Sequence, residues 1–110
     1  RAAGASPMLL ADAVSASLLP ATDTYGDDGV SVLKALVELQ RTGIEPRHLR
    51  TLRSTAEREV GLIESALMPV SRRGDATSRA KATELAREIA GHLEIIRSNL
   101  IRQAIGRLDA

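Results

Sequence analysis

"TGIEPRHLR", residues 42–50, joins two leucine-patterned segments, and its reading decides the fold. Glycine takes the left-handed geometry at a helix C-terminus without strain, so Gly43 closes the segment before it. Glu45 then stands as the cap of a new helix and Pro46 as its first residue, where a missing N–H costs nothing. Ile44 and Leu49 fall at the two positions of a hydrophobic staple around that start. Four residues, GIEP, end one helix and begin another. The stretch is a corner first.

Upstream, Asp27 or Asp28 opens the helix that Gly43 closes, and Val30, Leu33, Leu36 and Val37 share one of its sides. Earlier still, Ser6-Pro7 predicts a helix start, with serine capping free N–H groups and proline at the first helical position. Leu10, Val14 and Leu18 follow at four-residue spacing with Leu9 and Ala13 beside them, and the helix is expected to end before Pro20. Residues 20–28, PATDTYGDD, read as a short loop. Downstream, a third helix is predicted from Pro46 to about Met68, with a stripe of Leu49, Leu52, Ala56, Val60, Ile63 and Leu67. Pro69 and SRRGD interrupt it. A single long helix follows from Ala76 to Leu108, a rod of roughly 50 Å at about 1.5 Å per residue. No segment reads as a strand, so the fold expected is all-α.

Composition narrows the function. The chain has 110 residues, no cysteine, and Tyr25 as its one aromatic residue apart from two histidines. Disulfides, thiol catalysis and cysteine-ligated zinc are excluded together, which fits a cytoplasmic protein. No apolar run is long enough to span a membrane, and no signal peptide is legible. Arg1 in place of methionine, with RAAGA reading as a cut helix end, points to a fragment of a longer chain. A core of leucine, isoleucine, valine and alanine suits closely packed helices but is thin for so small a domain, and self-association is the usual remedy.

The long helix supplies the means. Leu85, Ile89, Leu93, Ile96 and Leu100 form its seam, and Ile101, Ile105 and Leu108 carry the apolar surface around its end. A stripe longer than the domain can cover meets another helix, here its copy in a second chain. These five seam residues are the expected dimer interface, in a homodimer.

Catalysis finds no constellation to carry it. His48 and His92 lack the spacing of a zinc site, no glycine-rich loop suits a phosphate, and no cofactor or metal is expected. Charge is uneven although the net is only +1. Residues 1–28 set Arg1 against four aspartates, whereas residues 29–53 set Lys34, Arg41, Arg47, Arg50 and Arg53 against Glu38 and Glu45. Arg47, Arg50 and Arg53, three apart, share a helical face near a positive N-terminus and are candidate phosphate contacts. Base stacking has almost no aromatic side chain to use.

The order of these signals resembles a known family. GASPMLLADAVSASLL, residues 4–19, looks like the turn and second helix of a helix-turn-helix, and residues 26–52 resemble the segment after the wing in MerR-type transcription regulators. GIEPRHLR followed by STAEREVGLIE is closer to one branch, the actinobacterial MerR-like regulators of cell-division genes of the FtsR type. In that group a DNA-reading winged helix lies at the N-terminus and a degenerate second copy towards the C-terminus, and this chain looks like the second copy with its terminal helix. The resemblance implies residues 1–70 as a degenerate MerR-like helix-turn-helix and 71–110 as the long helix, packed on the same domain and on a dimer partner. It implies a homodimer that reaches promoter DNA through a separate N-terminal domain. The loop PATDTYGDD lacks a basic, aromatic wing, and SPMLLAD offers no base-reading side chain, so this copy is expected to have the fold without the DNA-reading chemistry. The alternative is an effector-binding or partner-protein module, for which no small-molecule effector is legible.

Overall fold

The computed structural model describes residues 4–109, so the helix-end reading of RAAGA falls largely on residues 1–3, outside that span. Four α-helices run in order, α1 (Pro7–Ser15), α2 (Asp27–Arg41), α3 (Arg50–Ser71) and α4 (Ala76–Gly106), and the described residues contain no strand. The all-α expectation holds. The chain gathers into two compact units, one ending at Ala56 and the other beginning at Glu57.

The first unit is built around α1. The Ser6 side chain accepts the Leu9 N–H at 3.1 Å, with Pro7 at the first helical position. The helix stops at Ser15, several residues short of the expected end before Pro20. The reason is a Schellman closure: Leu18 N–H donates to the Ala13 carbonyl at 2.9 Å and Ser17 N–H to that of Val14 at 3.0 Å. Ser17 takes the left-handed position at φ 62, a place where glycine is the usual signal. The buried line of α1 is also turned from the expected one. Leu9, Ala13 and Ala16 are buried, and Leu10, Val14 and Leu18 are half-buried beside them.

Leu9 and Ala13 join Ala5, Leu19, Leu33 and Leu36 in the core, against which Tyr25, Val37 and Leu49 pack. Burying one leucine of this kind stabilises by about 1.5–3 kcal/mol, so a core of few members depends on each. Gly26 caps α2, leaving Asp27 and Asp28 in its first turn, where negative charge complements the helix dipole. In the loop before it, the Tyr25 hydroxyl donates to the Pro20 carbonyl at 2.6 Å. Gly29 lets that ring lie against α2, since a Cβ there would stand 2.9 Å from Tyr25 Cβ.

The corner has the expected form. Gly43 closes α2 at φ 92, donating to the Gln40 carbonyl at 3.0 Å while Ile44 N–H donates to that of Leu39 at 3.1 Å. Pro46 is almost fully buried and starts a four-residue 3₁₀ turn, Pro46–Leu49, that leads into α3. The α-helix proper therefore begins at Arg50 rather than Pro46. Pro69 does not stop it, and α3 runs to Ser71. Proline this close to the end forfeits one bond, to the Ser65 carbonyl, and Ser65 lies exposed where water can replace it.

Candidate functional site

In the second unit the latter part of α3 and the long α4 form a helical hairpin. Asp75 caps α4, its Oδ1 accepting the Ser78 N–H at 2.7 Å. That bond, and a weaker contribution from the Ser78 side chain, hold the Asp75 carboxyl below its ordinary value of 3.8. The Arg97 guanidinium of α4 meets Glu59 of α3 at 3.3 Å. Along the hairpin lie Ile63, Leu67 and Val70 of α3 and Ala86, Ile89 and Leu93 of α4. All six are half-buried, and Val70 and Leu85 line one shallow groove.

The five seam residues therefore occupy two environments. Leu85, Ile89 and Leu93 are half-buried along the hairpin. Ile96 and Leu100 are 57% and 58% exposed, and Ile101, Ile105 and Leu108 continue the open surface. The free apolar face thus lies from about Ile96 to Leu108, nearer the C-terminus than the seam as a whole. An apolar face of this length is the usual mark of an interaction surface. α4 ends at Gly106, and Arg107–Asp109 complete it as a 3₁₀ turn.

The corner holds the three arginines. Arg47 lies in the 3₁₀ turn, and Arg50 and Arg53 in the first turn of α3, all exposed. Arg47 and Arg50 edge a depression of about 240 Å³ with Asp12 and Ser15 of α1, Glu45 and Pro46. Two carboxylates in the same depression offset the two guanidinium groups, which lowers its attraction for a phosphate. His48 is engaged at the same place. Its Nδ1 accepts the backbone N–H of Glu45 at 2.9 Å, and Gln40 donates to Glu45 Oε1 at 3.1 Å. This is a capping box with histidine in the role usually taken by glutamate or glutamine. The E-x-x-H spacing in the sequence was its only signal.

The chain matches the model of a family described as "Rv1828-like, C-terminal domain" over residues 1–109. The chain belongs to this family. Two curated relatives are each 36% identical over 81 residues, which make up 74% of this chain and 33% of theirs. Both are named as uncharacterised HTH-type transcriptional regulators, one from Mycobacterium tuberculosis and one from Mycobacterium bovis. The chain spans about a third of the length of these relatives. In this Rv1828-like domain no described helix is long and apolar enough to cross a membrane.

Proposed function

We propose that this Rv1828-like domain is the C-terminal dimerisation and regulatory part of a DNA-binding transcription regulator, MerR-like and of the FtsR type. In this reading residues 1–70 form the degenerate helix-turn-helix portion and 71–110 the terminal helix. Its work is geometric. A two-fold pairing of the domain sets the separation of two DNA-reading heads, which the half-sites of a promoter must match. The regulator acts in the cytoplasm, where the promoter lies.

The observation that carries the reading is the open face of α4. Among its exposed apolar positions, Ile95, Ile96, Leu100, Ile101, Ile105 and Leu108, the four at Ile96, Leu100, Ile101 and Ile105 fall at steps of four, one and four. That series is the same from either end. An isologous two-fold interface needs a self-complementary surface, and an antiparallel pair centred between Leu100 and Ile101 brings the two series together. Parallel pairing in register would set Arg97 against Arg97 of the second copy, whereas antiparallel pairing sets it opposite Ala104. Arg47, Arg50 and Arg53 remain proposed phosphate contacts, secondary to the pairing because of the carboxylates beside two of them.

Sedimentation equilibrium at low micromolar concentration tests this. The wild-type chain is expected to have dimer mass, and Ile96→Asp with Leu100→Asp to have monomer mass at unchanged helix content. A wild-type monomer would overturn the reading and leave the α4 face to another protein.

A further inference from the structure

The corner arginines are not the only concentration of positive charge, and the other one lies at the opposite end of α4 from the open apolar face. Between Arg72 and Lys81 the chain carries four cationic side chains, Arg72, Arg73, Arg79 and Lys81, against the single carboxylate of Asp75. All four cations are exposed. They gather at the tip of the α3–α4 hairpin because the chain reverses there, with Gly74 at φ 74. Arg79 is drawn back to the turn, its Nη1 donating to the Gly74 carbonyl at 2.6 Å.

Little local chemistry neutralises this tip. The Asp75 carboxylate is engaged in capping α4 through Ser78. Lys81 shares a groove with Glu84 and Glu88 and is the most compensated of the four. Arg72 borders a depression that also contains Glu64, but neither Arg72 nor Arg73 forms an ion pair among the described residues. Helix electrostatics accounts for only half of the arrangement. Arg72 and Arg73 follow the C-terminus of α3, where positive charge suits the dipole. Arg79 stands one turn into α4, near the positive end, where it does not.

We infer that the hairpin tip, through Arg72, Arg73 and Arg79, is a contact surface for the phosphate backbone of duplex DNA. The inference rests on the reading of the chain as part of a DNA-binding regulator. Guanidinium forks match phosphate oxygens in geometry and charge. No aromatic residue lies in residues 70–82 to stack on a base, so the contact would position the domain on DNA without reading its sequence. It would act as a second foothold for a protein whose sequence recognition lies elsewhere.

The test is fluorescence anisotropy of the chain with a labelled duplex of arbitrary sequence, over a series of salt concentrations. Removing two phosphate contacts lowers the slope of log K against log salt by about 1.8. Arg72→Ala with Arg73→Ala is expected to show that loss, and Arg87→Ala with Arg102→Ala, which removes equal charge elsewhere on α4, is expected to retain the wild-type slope. A wild-type chain without affinity for the duplex at low salt, or equal losses in the two double variants, would overturn the inference. So would equal binding of the wild-type chain to phosphatidylserine vesicles, abolished by the same tip variant, since that surface would then be generally anion-seeking. Sedimentation of the same samples keeps the two readings apart. A monomer that binds duplex through its tip overturns the dimer alone, and a dimer with an unchanged slope overturns the tip alone.

Discussion

His48 Nδ1 accepts the backbone N–H of Glu45 at 2.9 Å, and through it a surface histidine holds the corner between α2 and α3. Three residues separate the partners, so the bond spans one turn, and the His48 N–H in return donates to the Glu45 carbonyl at 2.9 Å. The imidazole ring works as a cap.

Removing that acceptor leaves the Glu45 N–H to water. His48→Ala is expected to destabilise the chain by about 1 kcal/mol, the usual scale of a lost cap. His48→Gln, which keeps an acceptor on a chain of suitable reach, should recover much of it. Urea unfolding followed by circular dichroism measures both. Equal stability of the alanine variant and the wild type would show that the bond contributes nothing.

The corner was legible in the sequence because each of its residues has a strong local preference. Gly43 and Pro46 leave few backbone choices, and the structure places them as expected. The end of α1 was not legible, since Ser17 occupies the left-handed position that glycine would have announced. Expectation there followed Pro20, the next strong punctuator, and ran several residues too far. On α4 the apolar period was plain, but a period does not say which neighbour covers it. Leu85 and Leu100 look alike in sequence, and only the hairpin partner α3 separates half-buried from open. The basic tip was missed for another reason. SRRGD reads as an interruption until the reversal at Gly74 brings Arg79 back beside it.

Ser17 offers a stabilising substitution. A side chain in left-handed geometry costs about 1–2 kcal/mol. Glycine removes that cost but loses more backbone freedom on folding, by about 0.5–1 kcal/mol. Ser17→Gly should therefore stabilise the first unit, by up to about 1.5 kcal/mol, the largest difference between those terms. Tyr25, the one tyrosine in a chain without tryptophan, reports on the same unit, so its fluorescence can follow the urea transition. A transition moved to lower urea would mean that Ser17 makes compensating contacts.

Asp75 makes the N-terminus of α4 sensitive to acid. Its folded-state pKa is lowered below 3.8, chiefly by the hydrogen bond from the Ser78 backbone. The sign follows from linkage: the contribution is complete above the unfolded value and is lost as pH falls through the lower folded value. At neutral pH, Asp75→Asn is expected to be less stable than the wild type, because the charged cap also complements the helix dipole. The difference should shrink as pH falls below 3.8 and the wild-type carboxyl takes up its proton. Thermal unfolding of both proteins over an acidic pH series gives the comparison. A constant difference through that range would remove the carboxylate from the account.

The two-fold reading of α4 makes a positional prediction. The chain has no cysteine, so a single introduced thiol reports without background. In an antiparallel pair centred between Leu100 and Ile101, the two copies of residue 101 lie almost level across the interface. The two copies of residue 108 lie about 22 Å apart along the axis, at about 1.5 Å per residue. Ile101→Cys should therefore be joined efficiently to its own copy by a short bis-maleimide, and Leu108→Cys should not. Mixing Ile96→Cys with Ile105→Cys should give a cross-linked heterodimer, because those positions are level in this arrangement. Self-linking of Leu108→Cys in a chain of dimer mass would show parallel pairing and shift the weight of the interface to contacts that tolerate two facing arginines. Such pairing would place both chain ends on one side, and with them a different separation of the proposed DNA-reading heads.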